Sequence, residues 1–313
     1  MAEKPVEQYY TPPPKLGKWE GFRTFMWNSE TSQFLGRTGS SWAKILLFYV
    51  IFYATLCGFF FAMLAVFYQT IDPKIPKWQL DKSLIGNNPG LGFRPMPSEE
   101  NVESTLIWYK SSSEKDYKYW TNELDKFLEV YKDPDHSDKR KPCNYTSGPE
   151  EGKVCEVNIA DFSNCSSIHN YNYHRSAPCI FLKLNKIYNW VPEYYTDVKD
   201  LPSNMPVHLQ RHIGNLKSNG SKEIETVWVS CEGENPADVE NIGPIQYFPS
   251  RGYPGYYFPF ANNEGYLSPL VAVWFENPAT GVLINIECKA WAKNIFHDRA
   301  ERRGSVHFEL MID

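Results

Sequence analysis

The feature that most constrains this chain is a run of 27 residues without a charged side chain, from Ile45 to Ile71. A hydrocarbon core about 30 Å thick needs roughly 20 apolar residues of helix, so the run can cross a bilayer with some tilt. A cleavable signal peptide fits it poorly, because the apolar part of such a peptide is shorter and begins nearer the N-terminus. The sequence therefore predicts a retained transmembrane helix, 45–71, preceded by a 44-residue tail.

Sulfur and glycosylation signals indicate the orientation better than charge does, since lysine and arginine flank both ends of the run and leave the positive-inside count ambiguous. All three Asn-x-Ser/Thr acceptors and six of the seven cysteines follow the run. Both features belong to the secretory lumen. We therefore predict a type II protein with a cytoplasmic N-terminus. The acceptors are Asn144, Asn164 and Asn219, and the cysteines are Cys143, Cys155, Cys165, Cys179, Cys231 and Cys288.

The part after the run is negatively charged. The whole chain has a formal net charge of −5, and the tail carries six basic and four acidic side chains, so the part from Asp72 onward carries −7. This charge argues against binding to nucleic acid or to an anionic surface. Its length is sufficient for one good-sized hydrophobic core.

Hydrophobic spacing predicts the architecture of this outer part. Residues 72–98 are rich in Pro and Gly and are typical of an extended stalk. Five apolar residues between 120 and 131 recur at helical spacing, which predicts an amphipathic helix ending before Pro134. Beyond residue 143 the period becomes two, which favours a disulfide-braced ectodomain, 99–313, built as an immunoglobulin-like antiparallel sandwich with an inserted helix. The helical residues are Trp120, Leu124, Phe127, Leu128 and Tyr131, and the strand-like segments are TVWVSC, IFLKLN, LVAVWF, ECKAWA and VHFELMI.

Six cysteines allow 15 pairings, and spacing alone does not choose among them. Pairing of neighbours is the simplest arrangement. Under it, Cys231 and Cys288 would join two strand-like segments, and we expect that bond to connect the two sheets of the sandwich.

Two sets of side chains mark opposite faces of the predicted transmembrane helix. Ala54, Gly58 and Ala62 repeat every four residues, the spacing that lets a second helix approach closely. Tyr49 and Tyr53 form another four-residue pair, and at about 100° per residue they project from the opposite face. The helix can therefore contact two different partners as well as membrane lipid.

The sequence contains no nucleophile elbow, Walker loop, HExxH motif or dinucleotide fingerprint, so we expect no catalytic residue, cofactor or metal. Asp133 and Asp135 provide the one enzymatic alternative, the metal-binding acidic pair of a type II glycosyltransferase. His208 and His212 have metal-ligand spacing, but Pro206 and Gly214 flank them, and we interpret this segment as a surface loop.

Several segments together resemble one family, the β subunits of the Na,K- and H,K-transporting P-type ATPases, over nearly the whole chain. The IECKAW segment is closer to the Na,K branch. The matching segments are Trp27-Asn28, FLGRTGSSW (34–42), LLFYVIFY (46–53), PCIFLKLNKI (178–187), GYLSPLVAV (265–273) and IECKAWAKNI (286–295).

This resemblance implies a non-catalytic accessory subunit at the plasma membrane. Its partner, in about equal amount, would be the catalytic α subunit, which carries the phosphorylated DKTG motif that this chain lacks. Such subunits are needed for the α subunit to fold and reach the cell surface, and they modulate potassium affinity and occlusion. A small single-span regulatory subunit is a further expected partner. The resemblance also implies the disulfide pairs 143–155, 165–179 and 231–288.

The resemblance assigns contacts residue by residue. Tyr49 and Tyr53 match membrane tyrosines that contact the α subunit. Tyr257, Phe258, Pro259 and Phe260 match an aromatic-proline segment that contacts an extracellular α loop. This chain departs from the family where Phe260-Ala261 replaces Tyr-Tyr-Gly and where Thr55 replaces a cysteine. An adhesion or lectin-like receptor remains the non-enzymatic alternative.

Overall fold

The computed structural model describes residues 17–101, 104–133, 137–298, 301 and 303–313. The chain forms two compact units, Met1–Asp72 and Pro73–Asp313. The boundary lies directly after the charge-free run, and each unit is described below by itself.

The first unit contains two helices and, between them, a small antiparallel sheet of three two-residue strands. The indole N–H of Trp42 donates to the carbonyl of Phe34 over 2.8 Å, which ties the start of the second helix to the sheet. In chain order the elements are α1 (Lys18–Met26), β1 (Trp27–Asn28), β2 (Gln33–Phe34), β3 (Arg37–Thr38) and α2 (Gly39–Gln69).

Helix α2 is long and apolar enough to cross a membrane. Its 31 residues have a mean hydropathy of 2.3 in the most apolar window, and none of them is buried. At 1.5 Å per residue the helix is about 46 Å long, close to the full thickness of a bilayer with its headgroups. It begins six residues before the predicted span and ends two residues before the predicted end.

The described residues of the second unit are mainly β structure and include three α-helices. Its helices are α3 (Glu114–Lys132), α4 (Val207–Ser218) and α5 (Pro236–Asn241). Its strands are β4 (Leu91–Arg94), β5 (Leu106–Tyr109), β6 (Arg140–Lys141), β7 (Val154–Cys155), β8 (Cys179–Leu184), β9 (Thr226–Gly233), β10 (Ile245–Phe248), β11 (Gly252–Pro254), β12 (Leu270–Phe275), β13 (Leu283–Trp291) and β14 (Ser305–Ile312). They form a four-stranded sheet in the order β10-β12-β8-β4, a five-stranded sheet in the order β11-β9-β13-β14-β5, and the pair β6-β7.

One hydrophobic core lies between the two larger sheets. Phe308 of β14 packs on Phe93 of β4 with ring centroids 4.9 Å apart, and on Phe275 of β12 at 6.3 Å. Along β14, Phe308, Leu310 and Ile312 are buried while the residues between them are partly exposed, as the period of two predicts. All five predicted strand segments lie in these two sheets.

The predicted amphipathic helix is confirmed as α3. It buries Trp120, Leu124 and Leu128 and ends at Lys132, before the proline at position 134. The Trp120 indole N–H donates to the carbonyl of Trp108 over 3.0 Å, so the helix is also fastened to strand β5 by a polar contact.

The prediction of an antiparallel sandwich is wrong at one edge of the five-stranded sheet. Strand β5 pairs with β14 in parallel, with Ile107 opposite Leu310. Parallel neighbours need a long crossover connection, and here most of the second unit lies between the two strands. A local period of two identifies a strand but carries no information about its direction.

The prediction of an extended stalk over residues 72–98 is wrong for the later part of that range. Leu91–Arg94 forms strand β4, which pairs with β8, and both Leu91 and Phe93 are buried. Gly90 and Pro95 flank this four-residue edge strand, and the surrounding turn-forming residues conceal its short apolar pattern.

The structure contains the three disulfides that the resemblance implies, 143–155, 165–179 and 231–288. The expectation that Cys231–Cys288 connects two sheets is wrong. The two residues lie directly opposite each other on the antiparallel strands β9 and β13, with Cα atoms 4.0 Å apart. This spacing is close to that of a non-hydrogen-bonded antiparallel pair, so the bond fixes the register within one sheet.

Leu124→Ala tests the core contribution of α3. The side chain is fully buried, so the substitution should lower the free energy of unfolding by about 2–5 kcal/mol. Chemical denaturation of the full chain in detergent, followed by near-UV circular dichroism, measures this loss. Val130→Ala on the exposed face of the same helix is the matched control, and equal losses in the two variants would contradict the packing.

A network of polar side chains is centred on His307 of strand β14 in the five-stranded sheet. His307 Nδ1 lies 2.5 Å from Glu234 Oε1 and His307 Nε2 lies 2.8 Å from Glu309 Oε1. Thr105 Oγ1 donates to Glu309 Oε2 over 2.7 Å. Burial alone would lower the pKa of His307, but hydrogen bonds and charge from Glu309 and Glu234 outweigh it and raise this pKa above its ordinary value.

This network predicts a pH-dependent stability. Because the pKa of His307 is raised in the folded state, its contribution is complete below about pH 6.5 and is lost as pH rises through the folded pKa. His307→Gln should therefore reduce the free energy of unfolding below that pH and have less effect as the pH rises through the folded pKa of His307. Urea unfolding at several pH values measures the difference, with the exposed His169→Gln as control. A pH-independent loss would exclude a charged imidazole as the cause.

Candidate partner-binding surfaces

Tyrosine side chains form one face of α2. The rings of Tyr49 and Tyr53 stack with centroids 6.0 Å apart, and the neighbouring rings of Phe48 and Phe52 stack at 6.1 Å. All four side chains are exposed. A phenolic hydroxyl in hydrocarbon needs an acceptor, so this face suits a partner helix that offers polar groups at matching depth.

Small residues form the opposite face of α2. Ala54, Gly58 and Ala62 are exposed, and a Cβ added at Gly58 would meet no atom within 4 Å outside the helix backbone. The strip is therefore a shallow surface on which a second helix can approach closely. Between the two faces, Thr55 Oγ1 donates to the carbonyl of Ile51 over 2.9 Å, and Cys57 is an exposed free thiol.

The aromatic segment 257–260 lies in the second unit, where most of its side chains are held by that unit. The Tyr257 hydroxyl donates to the carbonyl of Glu156 over 2.8 Å, and burial raises the pKa of Tyr257 well above its ordinary value. The Phe258 ring meets Trp190 edge to face at 5.5 Å. Pro259 is exposed, while Phe260 is half-buried.

Phe260 is held in place by aromatic and cationic neighbours. Its ring centroid lies 4.9 Å from that of Tyr266, and the ammonium of Lys186 lies 5.1 Å from both centroids. Partial burial lowers the pKa of Lys186. The segment therefore presents a fixed aromatic edge, with Pro259 at its most exposed point.

A cavity of about 300 Å³ lies beside this edge, and its far wall consists of residues that the sequence reasoning missed. The missed wall is the loop Pro149 to Cys155, which lies inside the first disulfide ring. Glu150 contacts Lys141 at 2.5 Å and Lys153 at 3.5 Å, and the hydrogen bond and charge of Lys141 together with Lys153 lower the pKa of Glu150. In the sequence, only the closure of this loop by Cys143–Cys155 indicated that the loop is held against the rest of the unit.

The three predicted glycosylation acceptors, Asn144, Asn164 and Asn219, are exposed. At the first of them, Asn144 Oδ1 accepts a hydrogen bond from Thr146 Oγ1 over 2.7 Å, so the two polar residues of the acceptor are in contact. Tyr145 anchors this turn, because its hydroxyl lies 2.7 Å from Thr226 Oγ1 and its ring packs on Tyr256 at 5.3 Å.

The structure places the alternative metal-binding residues as follows. Asp135 lies outside the described residues, and the backbone carbonyl of Asp133 accepts from Arg140 over 2.9 Å. His208 and His212 lie on α4, so the interpretation of this segment as a loop is wrong. Pro206 directly precedes the helix, and burial of Leu209 and Ile213 anchors it despite the glycine at 214. Within the described part of the chain, no group of three His, Cys, Asp or Glu side chains could hold a metal ion.

Comparison with known proteins identifies the family. A family model described as the sodium/potassium ATPase β chain matches residues 13–308. The chain is 54% identical to the sodium/potassium-transporting ATPase subunit β-2 of Drosophila melanogaster, with 98% of this chain and 96% of that protein aligned. The chain belongs to the family of sodium/potassium ATPase β chains.

Two further relatives agree with this assignment. The sodium/potassium-transporting ATPase subunit β-1 of Drosophila melanogaster is 43% identical, with 96% of this chain and 95% of that protein aligned. The human subunit β-2 is 32% identical, with 94% of each chain aligned. As a β chain, the protein is a non-catalytic accessory subunit, and catalysis resides in the α subunit of the pump.

Phe258→Ala tests how far the aromatic edge of this β chain depends on packing. Loss of the edge-to-face contact with Trp190 and of part of the buried ring should cost about 2 kcal/mol of unfolding free energy. Thermal unfolding of the full chain in detergent measures the loss. Asn263→Ala, an exposed position in the same loop, is the control, and an unchanged melting temperature in Phe258→Ala would contradict the structural role.

Proposed function

We propose that this β chain assembles with the catalytic α subunit of a sodium/potassium-transporting P-type ATPase, in about equal amount, and enables that subunit to fold and reach the plasma membrane. The observation that carries the proposal is that relatives named as subunits of this ATPase align with nearly the full length of the chain. The proposal extends to modulation of potassium affinity and occlusion, and to a small single-span regulatory subunit as a third component.

The proposed topology is type II, with residues 1–44 cytoplasmic, one span, and the second unit extracellular. One long apolar helix near the N-terminus and a mainly β unit after it support this topology. The three disulfides and three exposed glycosylation acceptors all lie in the second unit, which supports its placement in the secretory lumen and then outside the cell. Two larger sheets with a shared core support an immunoglobulin-like sandwich with an added parallel edge strand.

The proposed contacts with the α subunit lie on two separate surfaces. Within the bilayer they are Tyr49 and Tyr53, with Ala54, Gly58 and Ala62 as a second helix-packing face. Outside the bilayer they are the aromatic edge at Tyr257, Phe258, Pro259 and Phe260. The exposed tyrosine pair on a helix with no buried residue supports the first surface, since intramembrane hydroxyls gain from hydrogen bonds with a neighbouring helix.

Affinity purification of the full chain from membranes in mild detergent tests the assembly. A multi-span ATPase in about equal amount is the expected co-purifying protein. Recovery of the β chain at the cell surface without any ATPase would contradict the proposal and favour the receptor alternative.

The tyrosine face is tested by the double substitution Tyr49→Ala with Tyr53→Ala. We expect reduced co-purification of the ATPase or a shifted potassium activation curve, because each interhelical hydrogen bond is worth roughly 0.6–2 kcal/mol. The matched control is Phe59→Ala with Val66→Ala, exposed positions that project between the tyrosine and small-residue faces. Unchanged assembly and potassium activation in the tyrosine variant would remove this face from the interface.

A further inference from the structure

Four large apolar side chains of the second unit are exposed near the point where its chain begins. Trp78, Leu84, Ile85 and Phe296 are each more than half exposed, and Leu84 is fully so. Phe296 is distant in sequence, but its backbone N–H donates to Asn88 Oδ1 over 3.1 Å and its carbonyl accepts from Asn88 Nδ2 over 2.8 Å. Large apolar side chains left exposed on one unit can mark an interaction surface.

The segment that carries this patch is fixed to the unit at several points. Asn262 donates to the carbonyl of Lys74 over 3.2 Å, and Asn189 donates to the Gln79 side chain over 3.1 Å. Leu80 packs against the main core. Because the backbone is held between residues 74 and 88, the exposure of Trp78, Leu84 and Ile85 follows from the packing of their neighbours.

Covalent continuity limits the distance of Trp78 from the end of α2. Helix α2 ends at Gln69 after a length of about 46 Å, which matches a bilayer with its headgroup layers. Nine residues later, Trp78 can lie no farther than about 32 Å from that end, even if the intervening chain were fully extended.

The chemistry of the segment fits the headgroup layer. Lys74, Lys77 and Lys82 alternate with the apolar residues, and the Lys77 ammonium lies 5.5 Å from the centre of the Trp78 ring. Tryptophan is enriched at membrane interfaces, and a lysine beside it can reach lipid phosphate while its stem covers apolar surface. Asp72 and Asp81 lie in the same segment, so the electrostatic part of the attraction is small.

We propose that Trp78, Leu84, Ile85 and Phe296 form an interfacial patch that inserts into the headgroup layer of the membrane. This inference rests on the proposed membrane span. It identifies lipid as the partner that covers the patch.

The experiment uses the full chain reconstituted in phosphatidylcholine vesicles with a fluorophore on a single cysteine. Leu84→Cys in a Cys57→Ala background reports on the patch, and Ile168→Cys in the same background is the control, because Ile168 is also exposed but lies elsewhere on the unit. Native Cys57 labelled in the unmodified chain reports on the span itself. Quenchers are spin-labelled lipids carrying the nitroxide near the headgroup or deep in the acyl chain.

The expected result is that headgroup-level nitroxide quenches the Leu84 label several-fold more than the Ile168 label, while the deep nitroxide quenches the Cys57 label. Equal weak quenching at Leu84 and Ile168, with Cys57 still quenched, would overturn the patch and leave the span intact. Absence of quenching at Cys57 would overturn the span and the patch together. If lipid does not quench the Leu84 label and the label is shielded only when an ATPase is co-reconstituted, the patch instead contacts a protein partner.

Discussion

The constraint on which this molecule depends is that a chain inside hydrocarbon must satisfy its own backbone hydrogen bonds. Helix α2 meets this constraint, but no residue of it is buried by the rest of the described chain. Most of its side chains are therefore available to lipid or to other helices. Lipid tails are as apolar as leucine, so hydrophobicity alone provides no specificity there. What distinguishes this helix from a simple anchor is the placement of Tyr49 and Tyr53 opposite Gly58 and its small neighbours.

The second unit follows a different rule, because it gains stability by removing apolar surface from water. Phe308 touches aromatic rings from both strands that face it, and Leu124 brings α3 into the same core. The disulfides add covalent constraints to this unit, and four of the six bonded cysteines lie within the core itself. Cys143–Cys155 closes an exposed loop, and Cys231–Cys288 locks the register of two neighbouring strands. A rigid unit of this kind can hold an aromatic edge in a fixed conformation.

Much of this fold could be predicted from the sequence, because spacing reports directly on burial. The apolar helix α2 follows from a long charge-free run, and the helix at Trp120 to Tyr131 and five strands follow from periods of 3.6 and 2. Strand direction and pairing could not be predicted, since the parallel contact of β5 with β14 depends on residues far apart in sequence. For the same reason the loop at Glu150 was missed: its closeness to Tyr257 is created by tertiary packing and a disulfide. The helix at His208 was missed because its anchors, Leu209 and Ile213, make only one buried pair.

The aromatic edge shows why stability and recognition are difficult to separate in such a protein. Tyr257 and Phe258 are engaged with Glu156 and Trp190, so removing either side chain disturbs the scaffold as well as any contact made through it. Pro259 is exposed, and the ring of Phe260 is half-buried between Tyr266 and Lys186. A partner that bound here would meet an edge whose shape is already set, and the edge itself would lose little conformational entropy on docking. In the proposed complex, the buried half of the segment would contribute to affinity by rigidity, and the exposed half by contact.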